Sequence, residues 1–109
     1  MNITEGRKME NNELVRRYEL VVIVDARLAN EEKESILNSA KDVIAKAGGK
    51  VINSQVWLEK HKFSFLIKKC SDGTYYLINF ESNASVIAEI RTALKLNEKI
   101  LRFVIIKVE

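Results

Sequence analysis

The chain has 109 residues, 47% of them hydrophobic and 30% charged, with a formal net charge of +3 and no proline. This is a single domain's length with one core, too apolar for a disordered segment. One cysteine, Cys70, and one histidine, His61, exclude an internal disulfide, a cysteine-built zinc site and a histidine cluster.

Residues 1–15 are polar and aperiodic and read as a flexible extension; the domain proper spans 16–109. Arg17–Asp25 (RYELVVIVD) is rich in β-branched residues and predicts a first strand, with Leu20–Val24 apolar on both faces. From Asn30 to Ala47 the apolar residues Ile36, Leu37, Ala40, Val43, Ile44 and Ala47 mark one face of a helix. Asn30 is its expected N-cap, and Gly48-Gly49 its stop. Lys50–Lys68 predicts a long strand in which Val51, Asn53, Gln55 and Trp57 share a face. Leu58–Lys62 interrupts the pattern there and predicts a bulge. Cys70-Ser71-Asp72-Gly73 predicts the hairpin turn, on the strength of Asp-Gly. Thr74–Glu81 is the third strand, Asn83–Leu96 a second helix with Ser82 or Asn83 as cap, and Ile100–Val108 the last strand.

The order β-α-β-β-α-β predicts an α+β, ferredoxin-like sandwich: a four-stranded antiparallel sheet with both helices on one face. Absence of proline fits, since central strands and helix interiors both reject it. The first and last strands are apolar on both faces, so the uncovered sheet face is an expected interface.

Charge is unevenly placed. Lys41–Cys70 holds seven lysines against Asp42 and Glu59, a local +5, and Ile87–Glu109 carries +2. Such asymmetry is the footprint of a polyanion partner. No apolar run approaches the roughly 20 residues that span a membrane, and the first residues lack the apolar stretch of a secretory signal. A lone thiol fits a reducing cytosol.

Enzymatic chemistry is poorly supplied. His61 has only Glu59 as a nearby carboxylate in sequence, Cys70 has no histidine base, and Asp25 and Arg27 lack the glycine-rich backbone of a phosphate loop. Neither a catalytic residue, a metal site nor a cofactor is expected. Base stacking in the manner of an RNA-recognition motif is not expected either, since the first strand has no central aromatic.

Three stretches carry a family resemblance: Arg16-Arg17-Tyr18-Glu19 before an apolar strand, Trp57 with basic neighbours before Phe63-Ser64-Phe65-Leu66-Ile67, and Asn97-Glu98-Lys99-Ile100-Leu101-Arg102 entering a last strand. Together they resemble bacterial small-subunit ribosomal protein six over Arg16–Val108. Leu58 and Leu66 stand where the family has glycine and proline. The resemblance implies a non-enzymatic, cytoplasmic constituent of the small ribosomal subunit. It further implies binding to the central domain of small-subunit ribosomal RNA, as a heterodimer with ribosomal protein eighteen. Arg16, Arg17 and Arg102 are carried over as RNA contacts; Lys60 and Lys62 join them on charge. Trp57, Phe65 and Phe103 are the expected partner interface. No membrane and no small-molecule substrate is expected. The competing reading is a small-molecule-binding regulatory domain of ferredoxin-like fold.

Overall fold

The computed structural model describes residues 15–108. Its elements are β1 (Val15–Asp25), α1 (Asn30–Lys46), β2 (Lys50–Ile67), β3 (Cys70–Asn83), a 3-10 turn (Ala84–Val86), α2 (Ile87–Lys95) and β4 (Arg102–Lys107). The sheet order is β2-β3-β1-β4, every neighbouring pair antiparallel. This is the expected ferredoxin-like α+β sandwich. The expected N-terminal extension lies outside the described residues, except that Val15 already begins β1.

Alternation along β1 divides its side chains. Leu20, Val22 and Val24 face the helices with no exposure and pack with Ile36, Ala40 and Ile44 of α1, Ile90 and Leu94 of α2, and Ile78 and Phe80 of β3. Each such side chain contributes roughly 1.5–3 kcal/mol on leaving water. Tyr18 stacks on Phe80 at 5.4 Å between ring centroids, near the end of this layer.

The helix ends differ in how they are made. Ala29, not Asn30, is the N-cap of α1: its carbonyl accepts from the N–H groups of Glu32 and Lys33, and no side chain caps. Glu31 and Glu32 in the first turn then complement the dipole. At the other end Gly48 takes φ +95°, and the Gly49 N–H reaches the Ile44 carbonyl at 2.9 Å. Asn83 caps the second helical segment as expected, its side chain accepting from the Ser85 N–H at 3.0 Å.

The hairpin turn is not where Asp-Gly suggested. β2 and β3 are joined by Lys68-Lys69, flanked by the Ile67–Cys70 pair, with φ 48° and 68°. Positive φ at both central residues is the primed-turn geometry that matches strand twist. Asp72 and Gly73 lie inside β3 instead. The turn is held from outside: the Lys68 ammonium donates to the Ile100 carbonyl at 3.2 Å.

β2 is irregular, as expected, but over more of its length. Its register against β3 shifts between Val51 and Asn53, Val56 and Leu58, Leu58 and His61, and Lys62 and Ile67. Val51 is therefore packed on the core while Asn53 bonds to Asn79 outside it. Each shift sends the following residues to the other face.

Candidate nucleic-acid and partner interface

The face away from the helices is built from the other set of alternate residues. β1 supplies Arg17, Glu19, Val21 and Ile23; their register partners are Glu81, Asn79, Leu77 and Tyr75 on β3. Ile106, Val104 and Arg102 of β4 sit beside Glu19, Val21 and Ile23. Val21 and Ile23 are buried at 6% and 7% although they stand outside the helix-side cluster. On the two edge strands apolar side chains stay exposed: Val104 at 48% and Ile106 at 45% on β4, and Trp57 at 54% on β2. Open apolar side chains on both edges of a buried apolar middle are of the kind that interaction surfaces carry.

At the hairpin end of the face, rings gather on Tyr75. Trp57 meets it edge-on at 6.2 Å, His61 edge-on at 5.5 Å and Phe63 tilted at 6.4 Å. Such pairs favour offset and edge geometries because of the ring quadrupole. Phe63 also covers Gly73, where an added Cβ would lie 2.5 Å from the ring.

Basic side chains stand on both sides of the sheet. Arg17 pairs with Glu81 at 3.5 Å, and Lys60 reaches Asp72 at 3.9 Å. Exposed Lys62 is opposite Asp72 in register, and Asp72 shares the parity of Thr74 and Tyr76. Lys60 and Lys62 therefore stand on the helix side of the hairpin, while His61 and Phe63, between and beside them, face Tyr75. Arg102, at the start of the edge strand β4, is exposed. Arg16 falls elsewhere: it is half-buried opposite Ser82, on the helix side of β1, with its guanidinium donating to the Val15 carbonyl. The two arginines of the opening pair thus address opposite faces.

Of the expected interface residues, Trp57 is on the open face. Phe103 is not: it is half-buried against the helix-side core, and its neighbours Val104 and Ile106 occupy the position expected for it. The side chain of Phe65 lies outside the described residues. Sequence parity missed Val104, Ile106 and Tyr75 because it does not say which parity faces the helices.

The groups with reactive chemistry are tied to one another. Arg27 forks onto Asp25 at 2.9–3.3 Å, and this hydrogen bonding lowers the Asp25 carboxyl to about 2. The Cys70 thiol donates to the Asp25 carboxylate at 3.3 Å. Burial, with Asp25 adding to it, pushes that thiol up, away from the reactive thiolate form. His61 is spent on the Tyr75 ring. Among the described residues no three His, Cys, Asp or Glu side chains gather as metal ligands, and no helix is long and apolar enough to cross a membrane.

This architecture has known counterparts. The chain is 34% identical over 96 residues to the small ribosomal subunit protein bS6 of Geobacter metallireducens, covering 88% of this chain and 80% of the relative. It is 38% identical over 92 residues to the bS6 of Clostridioides difficile, covering 84% and 98%. The crystal structure of 30S ribosomal protein S6 from Thermotoga maritima superposes with a TM-score of 0.78 at 24% identity, over 86% of this chain and 88% of that one, which speaks for the fold. The sequence profile of the family described as Ribosomal protein S6 matches residues 17–107. The chain therefore belongs to the ribosomal protein S6 family, non-enzymatic constituents of the small ribosomal subunit in the cytoplasm.

Proposed function

We propose that this chain binds the central domain of small-subunit ribosomal RNA as a heterodimer with ribosomal protein eighteen. Family membership supplies the ribosome and RNA association and takes the place of the small-molecule regulatory reading. The observation that carries the finer assignment is the open sheet face. Trp57 on one edge strand and Val104 and Ile106 on the other are half exposed on a surface that no helix among the described residues covers, with Arg17 and Arg102 on the same side. The apolar centre packs on the partner protein; the basic border meets phosphates, which gives affinity with little sequence preference. Arg17 and Arg102 are the border residues that serve RNA, and Lys60 and Lys62 serve it from the helix side of the β2–β3 hairpin. Arg16 serves it from the opposite face of β1. Trp57 anchors the partner, together with Val104 and Ile106.

The test is gel filtration of the full chain mixed with purified ribosomal protein eighteen. Wild type elutes as a heterodimer. The variant Val104→Asp/Ile106→Asp keeps its fold, since both positions are open to water, and elutes alone because a partner would have to bury two carboxylates. A heterodimer of undiminished affinity in that variant removes the open face from the interface.

A further inference from the structure

A second basic feature lies at the other side of the edge strand. A cleft of about 360 Å³ opens between the last turn of α2, the 97–101 connection, the start of β4 and the β2–β3 turn. Buried Leu94 and Ile100 and half-buried Phe103 form its apolar floor. Four cations surround it, Lys68, Arg91, Lys95 and Arg102, and among the described residues no carboxylate lines it. The volume lies at the low end of the roughly 300–1,000 Å³ typical of ligand sites.

The pairing of charges elsewhere makes this clustering informative. Arg17, Arg27, Lys46, Lys60 and Lys99 each meet a carboxylate within 4 Å. Among the described residues, none of the four cleft cations does. Their charges add, and an apolar floor strengthens the field above it. The carboxyl end of a helix ordinarily repels an anion through its free carbonyls. Here two of those carbonyls are occupied, Ala93 by the Leu96 N–H at 3.2 Å and Leu94 by the Asn97 N–H at 3.1 Å. The Lys68 ammonium bonds to the Ile100 carbonyl and so fixes the hairpin turn as the cleft's wall, with its remaining protons free to donate.

We propose that this cleft is a seat for the RNA sugar–phosphate backbone, with Arg91, Lys95, Arg102 and Lys68 grasping consecutive phosphates. The inference rests on the chain's RNA-binding role and adds a specific site to it. Only Arg102 belongs to both the open-face border and the cleft, so the site extends RNA contact from the sheet edge around to the end of α2.

The test uses the full chain reconstituted into small-subunit particles, with release followed as salt is raised. Three proteins are compared: wild type, Arg91→Gln/Lys95→Gln, and a control of equal charge loss, Lys33→Gln/Lys41→Gln. Equal melting temperatures establish that all are folded. The cleft variant is expected to lose about ten-fold or more in affinity near physiological salt, with a shallower salt dependence, while the control stays close to wild type. Equal loss in the control, or no loss in the cleft variant, overturns the cleft alone. Wild type failing to enter particles overturns the RNA-binding role on which the cleft rests. Lysine acylation supplies a readout independent of any variant. Lys95 is expected to be protected in the particle and reactive again after ribonuclease digestion. Protection that survives digestion assigns the cleft to a protein partner and overturns the proposal, as does full reactivity in the intact particle.

Discussion

Replacing Gly73 by alanine tests how the open face is assembled. Gly73 lies inside β3 opposite both Asp25 and His61, and its backbone is not in the left-handed region. Its lack of a side chain matters for space. An alanine Cβ would stand 2.5 Å from the Phe63 Cζ and 2.8 Å from the Ile23 Cγ2. Phe63 is half-buried and its ring can swing outward. Ile23 is only 7% exposed and β-branched, so it yields less. Overpacking of this kind costs about 1–3 kcal/mol. Alanine's better strand behaviour returns about 0.5–1 kcal/mol, leaving a net loss of about 1–2 kcal/mol. At about 4–8 °C per kcal/mol for a domain of this size, the thermal midpoint falls by roughly 5–15 °C. In a Phe63→Ala background half of the clash is gone, so the same substitution costs less, by about 0.5–1 kcal/mol in a double-mutant cycle. Thermal unfolding followed by circular dichroism measures all four proteins. A Gly73→Ala protein as stable as wild type, or a cycle with no coupling, refutes the packing of Phe63 over Gly73.

The Lys68-Lys69 turn forces two non-glycine residues to positive φ, so Lys69→Gly should stabilise the chain by about 0.5–1 kcal/mol, read as a higher urea midpoint at unchanged slope. Phe80 is fully buried and stacked on Tyr18; Phe80→Ala should cost about 3–5 kcal/mol in the same urea titration, and a loss below 1 kcal/mol contradicts its central place in the core. Asp25 titrates lower in the folded chain, at about 2 against an ordinary 3.8. Its stabilising contribution is therefore whole above about pH 4, declines as pH falls towards 2 and is gone below that. Asp25→Asn should flatten the fall in melting temperature between pH 4 and pH 2; an unchanged pH profile removes Asp25 from the acid response.

Regular elements were legible in sequence because local pattern and tertiary packing agree there. The apolar stripe of α1 buries Ile36, Ala40 and Ile44 as its spacing implies, and β1 is buried on both faces. The hairpin was read wrongly where the two conflict. Asp72-Gly73 is the better turn by local chemistry, yet Phe63 over Gly73, Cys70 on Asp25 and Lys68 on the Ile100 carbonyl hold the turn at Lys68-Lys69. The face of a side chain was legible only where register is unbroken. Four shifts along β2 break the parity argument, and in β4 nothing local says that Phe103 rather than Val104 turns to the core. The basic cleft was invisible for a different reason: Lys68, Arg91 and Arg102 come from a turn, a helix and a strand far apart in sequence, and only the folded chain brings them together.

The central claim, that the open face joins this chain to ribosomal protein eighteen on ribosomal RNA, is tested most directly by sedimentation. A transcript of the small-subunit central domain, purified ribosomal protein eighteen and either the wild-type chain or Trp57→Ala/Val104→Asp/Ile106→Asp are run on a sucrose gradient. Wild type should travel with the RNA only when the partner is present, and the variant should remain at the top in both cases. Co-sedimentation of the variant at the wild-type level, or of wild type without the partner, would contradict the open face as the joining surface.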